Sequence, residues 1–144
     1  MKRSKLFAFS VCLFFLLPAC AHFKAGSGSQ DALRECVQTV WEAKTKRDWI
    51  SVYDMTTQSY KDKVDKSMFL QSPKAIVHGF VIKKMEIVEP GKRAMVTVEA
   101  TMDILGRKVS LNIKEHWQWE NGAWRLNLSP PSLRSLFKPG DKKE

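Results

Sequence analysis

From Ala94 to Met102 apolar residues recur at every second position: Ala94, Val96, Val98, Ala100 and Met102. That period puts all of them on one face of a β-strand and leaves Thr97, Glu99 and Thr101 on the other. An amphipathic helix does not produce this spacing, so the stretch commits the chain to a sheet with one covered face. Its neighbours carry the same signal. Phe80 and Ile82 share a face, and Met85 and Ile87 share one after a phase slip at Lys83–Lys84 that a β-bulge accommodates. Val109, Leu111, Ile113, Glu115, Trp117 and Trp119 line one side of a long strand; Trp124, Leu126 and Leu128 line a shorter one. The turns "EPGKR", "DILGR" and "ENG" separate these runs, with Gly106 able to supply a positive φ. Pro130 and Pro131 end the ladder because proline has no amide to donate.

Before Ile76 the period is that of a helix. Leu33, Cys36, Val37, Val40 and Trp41 fall at i, i+3, i+4, i+7 and i+8, with Ser29 or Asp31 available as the cap. "TKRD" interrupts this helix, and Asp48 can cap a shorter one whose packed side holds Trp49, Val52 and Tyr53. "TTQSYKDKVDK" is polar and turn-like, with Tyr60 and Val64 near the core. Ser67–Leu70 suits one more helical turn before Pro73. Helices first and antiparallel strands afterwards predict an α+β layer, the helices segregated to one face of a four-stranded sheet.

The N-terminus is of another kind. Lys2, Arg3 and Lys5 precede the apolar run "LFAFSVCLFFLLPA", whose unbroken part falls short of the roughly 20 residues a membrane helix needs. This is the pattern of a signal peptide. The tetrad Leu17-Pro18-Ala19-Cys20 resembles the lipobox of bacterial lipoproteins, although Pro18 is an unusual occupant of its variable position. The resemblance implies a diacylglycerol on the Cys20 thiol, cleavage just before it, and usually acylation of the new amine. Two or three acyl chains hold a protein at a bilayer where one holds only marginally. The alternative is a plain secretory peptide in which Cys20 is incidental. "AHFKAGSGSQ" then forms a flexible leash. Ala21, rather than Asp, follows the cysteine; in a two-membrane cell that points to the outer membrane, facing the periplasm.

The domain organisation expected is therefore a signal peptide at 1–19, an acylated cysteine and tether at 20–29, one domain at 30–137 and a flexible tail at 138–144. Removing residues 1–19 takes three basic residues and no acid, lowering the formal charge from +9 to +6. Such a surface favours an anionic lipid or glycan without specifying either. Export and the absence of a recognisable motif argue against nucleic acid. Cys12 leaves with the signal and an acylated Cys20 has no thiol, so Cys36 has no disulfide partner. Its position within the helical stripe makes packing its expected role.

The stretches "VWEAKTKRDWISVYDM" and "EHWQWENGAWRL" resemble the nuclear transport factor two-like superfamily over roughly residues 30–129. That resemblance implies a cystatin-like cone, in which a long helix and short helices sit inside a highly curved antiparallel sheet. Family members divide between isomerases, dehydratases or cyclases with acids, Tyr or His in the cone, and binding or accessory domains; fold alone does not choose between these activities.

Glu115 stands out because it occupies an apolar-facing slot. Pointing into a cone, it would suit a general acid or base, with Asp103 and Tyr53 as companions. The more ordinary alternatives are a pocket rim, an outward bulge, or pairing with Arg125 or a lysine. His22, His78 and His116 have no ligand spacing, so no metal and no cofactor is expected. The tryptophans suit core packing. Lys114, His116, Gln118, Arg125 and Asn127 share the opposite sheet face and form a candidate partner or ligand surface, suited to pairing with an envelope protein or a second copy. The function expected is a membrane-anchored, non-catalytic binding or accessory domain of the envelope. A small hydrophobic-ligand carrier and an isomerase- or dehydratase-like enzyme around Glu115 are the alternatives.

Overall fold

A computed structural model describes residues 28–129. The signal peptide, Cys20, most of the tether and the C-terminal segment, where Leu133, Leu136 and Phe137 suggest a brief turn that covers a sheet edge, lie outside the described residues. Among the described residues no helix is long and apolar enough to cross a membrane.

Helix α1 spans Gln30–Thr45. Ser29 caps it, its hydroxyl accepting from the Ala32 amide at 3.2 Å, which satisfies one of the free N–H groups of the first turn. Leu33, Val37, Val40 and Trp41 face the core. Arg47 adopts a left-handed φ of 58° and turns the chain, so that Asp48 caps α2 (Trp49–Asp54) through the Ser51 amide. The polar stretch read as a turn contains a single-turn helix, α3 (Gln58–Lys61). Helix α4 (Lys66–Gln71) begins at Asp65, whose carboxylate accepts from the Met68 amide at 2.8 Å.

The strands are β1 (Val77–Glu89), β2 (Arg93–Ile104), β3 (Arg107–Glu120) and β4 (Ala123–Asn127), in the order β1-β2-β3-β4 and all antiparallel. The register between β1 and β2 shifts between Ile82 and Lys84, so the phase slip is a bulge. Trp41, Trp117, Trp124, Val96, Val98 and Leu126 are fully buried between sheet and helices.

The cone expected from the nuclear transport factor two-like resemblance is not formed. The sheet is open: it neither closes nor curls strongly, and the end strands β1 and β4 are not neighbours. β4 has only five residues and pairs with His116–Glu120 alone, so it cannot carry the sheet around the helices. The closing hairpin that suggested the family is a local structure that an open sheet forms equally well. What the fold has instead is an α+β layer with one half of the sheet covered more fully than the other. Val109 and Leu111, expected on the core face, are on that face but remain 36% and 40% exposed.

Candidate functional site

Glu115 lies on the helix-facing side of β3, opposite Val96 of β2. Alternation puts Trp117 beside it on the same face. On α1, Trp41 and Lys44 are three residues apart and share a face. These elements converge on the carboxylate. Lys44 Nζ donates to Oε1 at 2.6 Å, and Trp41 Nε1 and Trp117 Nε1 donate to Oε2 at 3.1 and 3.3 Å. Lys44 Nζ also lies 3.8 Å from the centroid of the Trp41 ring. Glu115 and Lys44 side chains are 5% and 14% exposed. A buried charge is tolerated only when it is paired and hydrogen-bonded, and here both oxygens are occupied by the chain's own donors. The cluster locks α1 to β3.

Asp103 and Tyr53 are elsewhere. Asp103 is paired with Lys108 in the β2–β3 register and lies seven residues along β2 from Val96, roughly 24 Å at the rise of a strand. It faces away from the helices and bonds His78 Nε2 at 2.9 Å. Tyr53 donates its hydroxyl to the Val64 carbonyl at 2.8 Å and packs against Phe69. The three residues do not share a pocket. Cys36 is half-buried, and burial pushes its thiol above the usual range. No cluster of His, Cys, Asp or Glu among the described residues could hold a metal ion.

The face turned away from the helices is polar across β3 and β4, with Val81 and Val88 exposed on β1. His116 pairs with Asn127 and with Met95, and Gln118 pairs with Arg125 and Arg93, so these side chains form short rows across β2, β3 and β4. His116, Gln118 and Asn127 line a groove of about 270 Å³ with Val88, Arg93 and Met95. Lys114 is exposed one step along the same face. A second groove, about 440 Å³, lies by the short helices and is walled by Tyr60, Val64, Met68, Phe69 and Pro73. Lys74 Nζ bonds Phe69 O at its margin, and partial burial depresses the Lys74 pKa.

The two ends of the sheet differ most. At one end lie Gly28 and Ser29, just before α1. Ser29 O accepts from Trp124 Nε1 at 3.2 Å, and Gly28 packs so tightly on the β1–β2 turn that an added Cβ would sit 2.8 Å from Gly91 Cα. The free side of β4 is covered there by the α2–α3 connection: Leu126 N donates to Met55 O and Thr57 N to Leu126 O, at 2.9 and 3.0 Å. At the other end, about 37 Å along β2 by strand geometry, β3 has no β4 beside it. Arg107–Lys114 lie beyond the β4 pairing, and the turn at that end holds Leu105, which is 99% exposed. Sequence reading missed this open half. Its signal was the mismatch between a long β3 run and a β4 run cut short by Pro130.

No protein-family model matches the chain, and no curated protein matches it. A solution structure of a SEC-C motif containing protein from Rhodopseudomonas palustris is similar, with a TM-score of 0.54 at 15% identity, over 65% of this chain and 73% of that one. The likeness is one of fold alone.

Proposed function

We propose that the protein is a lipid-anchored lipoprotein of the bacterial cell envelope, held at a bilayer by acylated Cys20, and that its domain binds another envelope component through the sheet rather than catalysing a reaction. The observation that carries this reading is the attachment of the tether. Gly28 and Ser29 sit at the Gly91 and Trp124 end, so an attachment through the preceding residues would leave the outward sheet face and the far end to a partner. The engagement of Glu115 by Lys44, Trp41 and Trp117 leaves the enzyme reading without its best residue.

Two measurements test the proposal. Intact mass of protein isolated from the producing cell's envelope should show a chain beginning at Cys20 and carrying diacylglycerol; an unmodified Cys20 removes the anchor. A photo-crosslinking side chain at Gln118 should capture an envelope component that the same group at Lys61 does not, and equal capture at both positions removes the sheet-face reading. A second reading, a small hydrophobic-ligand carrier, is favoured by the apolar groove beside Tyr60, Met68 and Phe69. Lipid retained in native mass spectra and lost in Met68→Asp would support it.

A further inference from the structure

In an antiparallel strand the N–H and C=O of one residue point to the same side, and successive residues alternate between sides. Trp119 N donates to Lys92 O at 2.8 Å, towards β2. The β2–β3 register continues without a shift to Ile104↔Arg107, so the odd-numbered residues of β3 bond to β2. The even-numbered ones face the other way. For His116 and Gln118 that side is filled by β4. For Lys108, Ser110, Asn112 and Lys114 no strand lies there among the described residues, and their backbone donors and acceptors form an open edge.

The side chains along this edge have a definite chemistry. Val109, Leu111 and Ile113 lie on the helix-facing side and are partly uncovered. Lys108 and Lys114 stand on the other side, with Arg107 at the end and no acid between 107 and 114. Leu105 extends the apolar surface at the tip. A strand added to such an edge gains main-chain hydrogen bonds from its backbone and selectivity from alternate side chains.

We infer that the free edge of β3, from Arg107 to Lys114, binds an extended segment of an acidic partner, with apolar side chains on the Val109–Leu111–Ile113 side and carboxylates opposite Lys108 and Lys114. The charges decide between occupants. A second copy paired antiparallel over the whole stretch sets Lys108 against Lys114 twice, and like charges directly opposite destabilise a sheet. The chain's own residues 130–144 begin with two prolines and carry Arg134, Lys138, Lys142 and Lys143 against Asp141 and Glu144, so they bring the same sign of charge. The inference deepens the binding reading and does not depend on the anchor.

The test follows amide exchange in the full chain, solubilised in detergent, with an acetylated eight-residue peptide alternating Val and Glu and a control alternating Val and Lys. The Val/Glu peptide should slow exchange at Lys108, Ser110, Asn112 and Lys114 at least tenfold, and the control should not. Asn112→Pro removes one outward N–H without touching the β2 ladder, and should abolish the effect while far-UV circular dichroism is retained. Should that variant unfold, the pair Lys108→Glu and Lys114→Glu gives the same information, because it should transfer the preference to the Val/Lys peptide. No slowing, equal slowing by both peptides, or slowing that appears on concentrating the protein alone would overturn the inference, the last by making a second copy the occupant. If crosslinking at Gln118 succeeds while the peptides fail, the sheet-face reading stands and the edge docking does not.

Discussion

Asn121 and Gly122 join β3 to β4 with φ of 50° and 78°, and Leu105 and Gly106 join β2 to β3 with φ of 50° and 77°. These are the same two-residue turn, with positive φ at both central positions, for which Asn-Gly is the preferred sequence. Asn enters the left-handed region at little cost, whereas a leucine there brings its Cβ against the following carbonyl. Leu105 recovers nothing by packing, since it is almost wholly exposed. The turn beside the tether obeys the local rules and the turn at the far end does not. The same division runs through the sheet: β4 and the α2–α3 connection complete hydrogen bonding at one end, while at the other no strand among the described residues lies beside the outer side of β3. The molecule follows local rules in the half where Gly28 packs on Gly91 and departs from them in the half where β3 lacks a β4 neighbour.

Substitution at the covered half should have the largest effect. Glu115→Ala leaves the Lys44 ammonium and two indole N–H groups buried without a partner, and should cost about 3–5 kcal/mol in urea unfolding. Lys108→Ala in the open half should change stability by less than about 0.5 kcal/mol; equal losses would erase the distinction between the halves. Gly28→Ala comes next. It combines a φ of 74° with a contact on Gly91 Cα, and should cost about 1–2 kcal/mol by the same measurement. The turns provide a reciprocal exchange. Asn121→Leu should lose about 1 kcal/mol and Leu105→Asn should gain about 0.5–1 kcal/mol, read as opposite shifts of the urea midpoint. The smallest effect concerns pH at the tether end. Hydrogen bonds from Lys92 and Arg93 hold the Glu89 carboxyl below its ordinary value. A depressed carboxylate contributes stability that is present above its unfolded pKa, about 4.3, and is lost as pH falls through the lower folded value. Glu89→Gln should flatten that part of the acid-unfolding profile and leave the neutral range unchanged.

Much of the layer was legible in residue order. The i, i+3, i+4 stripe from Leu33 to Trp41 and the two-residue period from Ala94 to Met102 each report a buried face directly, and Asp48 announced its helix through its position. The curvature of the sheet was not legible. Whether a sheet closes depends on how far its last strand reaches, and the "WQWENGAWRL" hairpin is equally at home in a cone or at the end of a flat layer. Glu115 shows the same limit. Its apolar slot was visible from alternation, but Lys44 is 71 residues away in sequence and only the packing of α1 on β3 brings them together. The open edge depended on Pro130 as much as on β3 itself, a relation between two strands that no single run displays.

The division into a closed and an open half is tested most directly by residue-resolved protection factors in β3 of the full chain without added peptide. Val109, Leu111 and Ile113, bonded to β2, should be protected at least tenfold more than Lys108, Ser110, Asn112 and Lys114, whereas His116 and Gln118 should match their odd-numbered neighbours. Uniform protection along Arg107–Glu120 would contradict the account, because the outward amides of the distal half would then already have partners.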